Sequence, residues 1–537
     1  MSKSKGFLGP TYTLSTVSYE AQDEINLYPE MSELETGKEQ EPDMNRSVPG
    51  LTLTHVLPRS PIRCIHQTLN GYVYVVAGNG VYNLTTTNGS IWQHTLVTTL
   101  TTTTGRVYMT DGIPNVVQGV INTGRINYVV IVDGSTTGIV FKEGTNTTTP
   151  LTSGNGYNGS NFVSFQDGFY LFSQPNTPVI QFAADPLNIS YSDTIVVNLG
   201  ADNIARAISD HDILWNFGTK SSSVWQNTGG VGYFGPTNLF QQIPGSYTQG
   251  GCFPHTVAQI NGQLVWLQND ANGCAQVFEA LGFRGSRISN HAIELYIQQC
   301  GDLTGASAWC YQSQGHSFYC LNIPGANATL CYDLNTKMWH KRAYTIYQSG
   351  ILSRDLVEYH YNINLSGVGQ ISLCGDFSNG NLYILDGNNY TFNGQPIYRQ
   401  RTTPHISSGL KRVFWDKVQV DVEGGTGLAT PYQYNNGTTG GPVLTNTLST
   451  PGNPLYGNGA TAYGGPAQYQ FTANDGSIVT PISPNVTAYS NGVLATAGTY
   501  STNSNVTGNT LTVLQQNLTV PAAQFGLGDG TTDSFNL

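Results

Sequence analysis

Between about residues 63 and 400 the chain repeats one pattern of apolar and polar positions. A polar or glycine corner opens each unit, and a short stretch follows in which apolar and aromatic residues alternate at period two. A Gly, Asn or Pro turn then leads into a return stretch of the same kind. Six copies are clear: NGYVYVVAGNGVYNL (70–84), DGFYLFSQPNTPVIQF (167–182), HDILWNFGTKSSSVWQ (211–226), NGQLVWLQNDANGCAQVFEA (261–280), HSFYCLNIPGANATLCYDLNTKMWH (316–340) and NGNLYILDGNNYTF (379–392). A further strand pair, INYVVIVDGSTTGIVF (126–141), turns at Asp133-Gly134, a strong hairpin signal. Copies recur at roughly 45 to 60 residues, the spacing of propeller blades.

One hairpin cannot bury its apolar face, whereas a ring of hairpins can. The pattern therefore predicts an all-β fold: a β-propeller-like array of antiparallel blades, six in number, or seven if 126–141 is a blade rather than an insertion. Long helices are not expected; IELYIQ (293–298) reads as a turn or two. In CYDLNTKMWHK (331–341) the Asp-Leu-Asn-Thr turn should be closed by its own side chains, with Trp339 wedged between sheets and His340 exposed beside the turn.

The pattern changes at both ends. Residues 1–50 read as an extended lead-in, polar, acidic and broken by Pro10, Pro29, Pro42 and Pro49; residues 51–404 hold the array. Residues 405–537 read as a C-terminal β-sandwich-like or jelly-roll-like domain with long Gly/Thr/Asn loops. Its expected strands include 413–425, QYQFTANDGSIV and NTLTVLQQNLTV, with Asn474-Asp475-Gly476 as one turn.

Composition narrows the class. Charged residues make up 10% of the 537 positions, against roughly 25% in an average soluble domain. The surface is therefore neutral and polar, as suits proteins in permanent protein contacts. Aromatic content of 11% opposes disorder. The net charge of −11 opposes a protein whose main task is gripping nucleic acid.

Charge is also unevenly placed. Nine of the 33 acidic residues fall between Glu20 and Asp43. Arg399, Arg401, Lys411, Arg412 and Lys417 form a basic cluster, and no Lys or Arg follows Lys417. The acidic run is a natural partner for that cluster, within the chain or on a neighbouring subunit. Eight cysteines show no CxxC spacing, and no signal-peptide core precedes them, so the thiols should stay reduced as small buried groups. No apolar run reaches the roughly 18 residues of a membrane span.

Candidate chemistry is thin. Gly230, Gly232 and Gly235 have GxGxxG spacing, but Pro236 and an aromatic loop follow where a dinucleotide site needs a helix. Asp270, Asn272 and Gly273 faintly resemble a calcium loop without the later bidentate acid. His211 beside Asp212 sits at a blade corner, where satisfying backbone groups is sufficient reason for it. Acids within the array (Asp167, Asp210, Asp212, Asp333, Asp376, Asp386) fall in turns. No nucleophile elbow, HExxH helix or P-loop occurs. Spatial pairs of carboxylates are invisible in a sequence, which leaves glycoside hydrolysis open on that ground alone. No catalytic, cofactor-binding or metal-ligating residue is assigned, and no cofactor is called for.

The order YEAQDEINLYPE, VPGL, IHQTLNGYVYVVAGNGVYNL, HDILWNFGTKSSSVWQNTG and LCYDLNTKMWHKR, over about residues 15–425, resembles the tail hub or nozzle ("packaged DNA stabilisation") family of short-tailed bacteriophages. The resemblance implies a propeller with added β-domains, six copies of which form a ring around the DNA exit channel. It implies a non-enzymatic virion protein, assembled in the host cytoplasm, that retains packaged DNA and conducts it during ejection. Its partners would be itself, the head-to-tail adaptor ring, tail fibres or spikes, and a needle or plug. Passing double-stranded DNA would be held without tight binding, and no membrane is involved. The Lys/Arg-free block from Gly424 departs from the family's basic, aromatic closing segment, so its attachments are not carried over. The alternative is a propeller-type tail-associated glycan-binding protein or polysaccharide depolymerase.

Overall fold

Most hairpins of the repeat are the middle two strands of an antiparallel sheet of at least four strands, and those middle strands are buried on both faces. The computed structural model describes residues 8–14, 21–31, 42–145, 147–190, 193–197, 202–229, 239–269, 275–346 and 350–403, with four strands beyond residue 467. Its contacts divide the chain into two units, Met1–Thr345 with Ile351–Lys411, and Ile346–Gly350 with Arg412–Leu537.

The first unit is a seven-bladed propeller. Blade 1 runs Ile62–Gln67, Val73–Ala77, Gly80–Thr86, Trp92–Thr99; blade 2 runs Tyr108–Gly112, Tyr128–Val132, Gly138–Lys142, Thr148–Leu151. Blade 3 is Phe162–Gln166, Phe169–Ser173, Val179–Ala183, Thr194–Val196, and blade 4 is Ile204–Asp210, Ile213–Gly218, Ser221–Asn227, Phe240–Gln242. Blade 5 pairs both Gly251–Cys252 and Ala258–Ile260 with Gln263–Asn269, then adds Ala275–Leu281 and Arg284–Arg287. Blade 6 is Ser307–Ser313, His316–Ile323, Ala328–Asp333, Met338–Arg342. Blade 7 takes Val357–Leu365, Gly369–Asp376 and Asn381–Asp386 from the end of the array, and its outer strand, Gly50–Val56, from the start.

The alternation explains the packing. Tyr74 and Val76 face the core shared with blade 2, while Val73, Val75 and Ala77 face the core shared with blade 7. In blade 2 the odd positions Val129 and Ile131 point to blade 1, and the even positions Val130 and Val132 to blade 3. Such a core fills every gap between neighbouring blades. A strand buried on both faces needs apolar residues at both parities, hence runs such as VYVVA and YVVIV. Trp339 lies in the core between blades 5 and 6, as its turn signature predicted.

Three readings of the sequence are corrected or resolved here. Residues 126–141 supply the two middle strands of blade 2, which makes the count seven. The copy at 379–392 is not a hairpin: Asn381–Asp386 pairs with Gly50–Val56, and Thr391–Phe392 meets that same strand in parallel, Phe392 opposite Leu51. The true hairpin of blade 7 is Val357–Leu365 with Gly369–Asp376, whose inner strand is too polar to show the pattern. His340, expected at the surface, is fully buried with both ring nitrogens unpartnered, because its strand gains further neighbours from the chain ends.

Those neighbours are Asp23–Ile25, which pairs in parallel with Met338–Arg342, and Gln400–Thr402, which pairs with Asp23–Ile25. The lead-in also contributes a ribbon, Leu27–Met31 with Pro42–Ser47. Tyr28 and Val48 from this region enter the core between blades 6 and 7. Gly50 is required at the seam, since a Cβ there would fall 2.3 Å from the Asn389 carbonyl oxygen and 2.6 Å from that of Thr391.

The one α-helix among the described residues, His291–Gln299, is capped by Asn290, whose side chain accepts from the Ile293 N–H. No helix among them is long and apolar enough to cross a membrane. In the second unit Gln468–Thr472 pairs with Thr510–Leu514, and Ile482–Ser490 with Val493–Thr499, in one four-stranded sheet. The expected strand at 413–425 and the turn at 474–476 lie outside the described residues.

Candidate functional site

The first strand of every blade lines the propeller axis, and two levels along these strands carry polar clusters. Inner strands expose one edge and part of one face to the channel, so they tolerate charged residues that the sandwiched strands cannot.

At the first level, side chains reach across the axis. Arg106, just before the inner strand of blade 2, donates from Nη2 to Glu358 Oε1 of blade 7 at 2.7 Å, with its guanidinium 4.3 Å from the Tyr359 ring centre. Tyr108 Oη of blade 2 meets His255 Nδ1 of blade 5 at 2.7 Å. Arg206 of blade 4 lies over the rings of Tyr108 and Phe162, at 4.1 and 4.6 Å. Arg354 pairs with Glu358 as well and stacks on Phe377.

Burial alone would raise the Glu358 carboxyl, but Arg106 and Arg354 hold it below the usual range. Burial, helped by Arg106 and Arg206, lowers His255 to about 3, so its ring is neutral. Contacts between blades 2 and 5, and between blades 2 and 4, close the axis at this level. Beside it, a cavity of about 420 Å³ is lined by blades 5 to 7, including Gln259, Cys310, Gln312, Glu358, His360 and Asn362.

Three residues further along the blade 2 strand sits the second cluster. Asp111 Oδ1 pairs with His66 Nε2 of blade 1 at 2.7 Å, and Oδ2 accepts from the Leu69 N–H and Asn127 Nδ2. The same Asn127 amide reaches Glu143 Oε2 at 3.1 Å, and Glu143 also holds Asn70. Two carboxylates thus share one donor. Burial would raise Asp111, but His66, the Leu69 N–H and Asn127 together keep it below the usual carboxylate range. The bonds from His66, Leu69 and Asn70 tie blade 1 to blade 2.

The residues singled out in the sequence fall elsewhere. Three turn acids work as local locks: Asp333 accepts from Asn335 N and Thr336 Oγ1, Asp376 from Ser378 N and Tyr383 Oη, and Asp386 from Asn388 N, whereas Asp167 accepts from Asn227 Nδ2 of the next blade. His211 is 66% exposed in its side chain and pairs with Asp210 Oδ1 at 2.8 Å, a side-chain partner instead of the backbone groups expected. His211 and Asp212 both hold positive φ, 48° and 61°.

Described cysteines are free thiols, and Cys64, Cys252, Cys320, Cys331 and Cys374 are buried. Burial raises Cys331 and Cys374 well above the ordinary thiol value. The Gly230–Gly235 and Asp270–Gly273 motifs lie outside the described residues, and no metal-holding group of three ligands occurs among the described ones.

The expected acidic–basic pairing is partly present. Glu24 stands opposite Arg401 in the strand pair, Arg401 Nη2 donates to Gln22 Oε1 at 2.7 Å, and Lys341 pairs with Asp23 at 3.0 Å. Arg399 turns to Ser47 Oγ at 2.8 Å. Lys411, Arg412 and Lys417 lie outside the described residues.

The channel clusters were missed because the repeat visible in sequence is strands two and three of each blade. The only signal would have been an arginine interrupting alternation, as in GRVYMT and IARAIS.

A family model described as bacteriophage P22 Gp10, beta-propeller, matches residues 8–390. Among solved structures, the extracellular domain of BT4673 from B. thetaiotaomicron aligns at TM-score 0.39 and 10% identity, covering 62% of this chain and 39% of that longer one. YCF48 bound to D1 peptide aligns at 0.37 and 11% identity, covering 63% and 98%. The WD40 β-propeller domain of Doa1 aligns at 0.37 and 10%, covering 63% and 96%. Curated proteins gave no match.

Proposed function

The chain belongs to the phage-stabilisation family of bacteriophage β-propellers, and on that premise we propose that this phage structural protein is a subunit of the tail hub or nozzle. In this reading six copies ring the DNA exit path, dock on the adaptor ring, carry fibres or spikes and a needle or plug, retain packaged DNA and conduct it during ejection. The observation that carries the reading is the extent of the match, which spans the lead-in and all seven blades. The lead-in belongs to the propeller physically, since Asp23–Ile25 pairs with the last strand of blade 6 and Tyr28 and Val48 enter the core between blades 6 and 7.

The closed axis sharpens the proposal. Tyr108 and His255 meet across it, so DNA has no route through the propeller itself. In this reading the conduit lies between subunits, walled by outer surfaces poor in Lys and Arg. Each basic contact to phosphate adds a salt-dependent hold, and a charge-poor wall avoids it. Cyclic symmetry would let one interface be reused around the ring.

One observation favours a second reading, a polysaccharide depolymerase: Asp111 and Glu143 do converge near one end of the channel. Glycoside hydrolysis needs one carboxyl kept protonated as the acid. Asp111 is instead held ionised, with both oxygens occupied, and fits a brace better than an acid.

Cryo-electron microscopy of virion tails, with mass photometry of the purified chain, tests the proposal. Six copies in a ring beside the portal-proximal adaptor are expected. A monomer found only at the tail tip would overturn it.

A further inference from the structure

We infer that the first level of the propeller channel is a binding site for one small oxyanion, held by Arg206 and Arg106. Among the described residues, three cations meet there, Arg106, Arg206 and Arg354, with Glu358 as the single acid in contact with them. Glu358 is shared by Arg106 and Arg354. Among the described residues Arg206 makes no ion pair or hydrogen bond; its Nε and Nη1 are buried and unpartnered, as is Nε of Arg106. Tyr359 Oη is likewise buried without a partner. An excess of buried positive charge is costly unless something answers it.

Another arginine on a first strand shows what the fold does when it answers the charge internally. Arg63 of blade 1 donates to the carbonyls of Gly78, Thr102, Thr104 and Gly105 and to Thr102 Oγ1. Arg206 has no such cradle. It has aromatic faces instead: the guanidinium carbon lies over Tyr108 and Phe162, and Nε and Nη1 are left without a partner. A planar fork with unpartnered donors matches a carboxylate or a phosphate better than a spherical ion. Because side chains from blades 2 and 5 close the axis, only a compact anion fits, and a nucleic-acid strand does not.

Calorimetry and thermal unfolding of the full chain test this, using sodium phosphate, sodium acetate and sodium chloride at matched ionic strength. One site per chain is expected, with a saturable rise in melting temperature for phosphate or acetate beyond the chloride control. Tighter phosphate binding would identify a tetrahedral anion as the natural occupant, and tighter acetate binding a carboxylate, such as an acidic side chain or a chain terminus. Arg206→Gln should weaken binding at least tenfold; Arg206→Lys, which keeps the charge and loses the fork, should fall between. If Arg206→Gln fails to fold, the lysine variant alone carries the comparison. The inference is overturned if neither anion acts beyond chloride, or if a folded Arg206 variant binds like the parent chain.

Discussion

Acid should destabilise this propeller through His340, and the effect can be isolated. His340 lies on the Met338–Arg342 strand with its ring between Phe318, 5.7 Å away edge-on, and Tyr28, 6.1 Å away. It has no solvent exposure and neither nitrogen has a partner. Burial first, then the neighbouring Arg342, lowers it to about 3. A histidine depressed in the folded state is neutral there while its unfolded counterpart takes a proton below about 6.5. Its contribution is therefore fully present above about pH 6.5 and declines as pH falls towards 3. At 1.36 kcal/mol per pH unit, about 2 kcal/mol is lost by pH 5.

Other groups bend the whole profile in both directions. Burial lowers His255 and His360 too, to about 3 and about 4. Burial raises Glu24 to about 8 against the pull of Arg401, so Glu24 loses its penalty as pH falls and acts oppositely. The informative quantity is the difference between the parent chain and His340→Leu. At pH 7.5 the two should agree within about 1 kcal/mol, because the variant loses ring packing but removes two buried unpaired polar atoms. At pH 5 the variant should be about 2 kcal/mol more stable relative to its pH 7.5 offset. Urea unfolding followed by tryptophan fluorescence at pH 7.5, 6.5, 5.5 and 5.0 measures this, with the slopes checked for a common transition. A difference that stays flat across this range would refute the assignment of a neutral, desolvated imidazole.

Two further outcomes follow from the seam and from one corner. Leu51 is fully buried between blades 6 and 7 on the closing strand; Leu51→Ala should cost about 2–5 kcal/mol. It should also speed proteolytic release of the N-terminal segment, read by limited proteolysis, and unchanged cleavage would mean the seam does not close the ring. Asp212 holds φ of 61° at a corner where other blades place glycine, such as Gly168 and Gly262. Asp212→Gly should therefore stabilise by about 0.5–1 kcal/mol in the same urea assay, and destabilisation would show that the aspartate side chain contributes more than its strain removes.

The ring was legible because a blade's second and third strands are sandwiched, and sandwiching imposes apolar residues at both parities. YVVIV in blade 2 and LVWL in blade 5 announce this directly. The inner strands were not legible, since VEYHYNINL must serve a core on one side and a polar channel on the other. That is why the last blade was displaced by one strand. The closing strand was hidden for a different reason: GLTLTHV finds its partner some 330 residues away in sequence, and no local pattern encodes that pairing. The sites follow the same division. Asp333, Asp376 and Asp386 are local devices that a turn pattern shows, whereas Asp167, Asp210, Arg106, Arg206, His66 and Asp111 acquire meaning from neighbours on other blades.

The placement of arginine also changes what the composition means. Arg63, Arg342 and Arg354 are almost fully buried, and Arg106, Arg206 and Arg401 are spent on the channel and the seam. Acids are withdrawn as well: Glu24, Glu143, Asp185, Asp202, Asp210, Asp333, Asp355 and Asp376 are buried. Among the described residues eight buried carboxyl groups outnumber the three almost fully buried arginines, so the exterior is less acidic than a net charge of −11 suggests. In the proposed hub that placement matters still: arginines held in the channel and the seam are not available to grip phosphates moving past the subunit. Surface arginines added on one outer face should slow DNA release only if that face lines the path, which makes such additions a means of finding it.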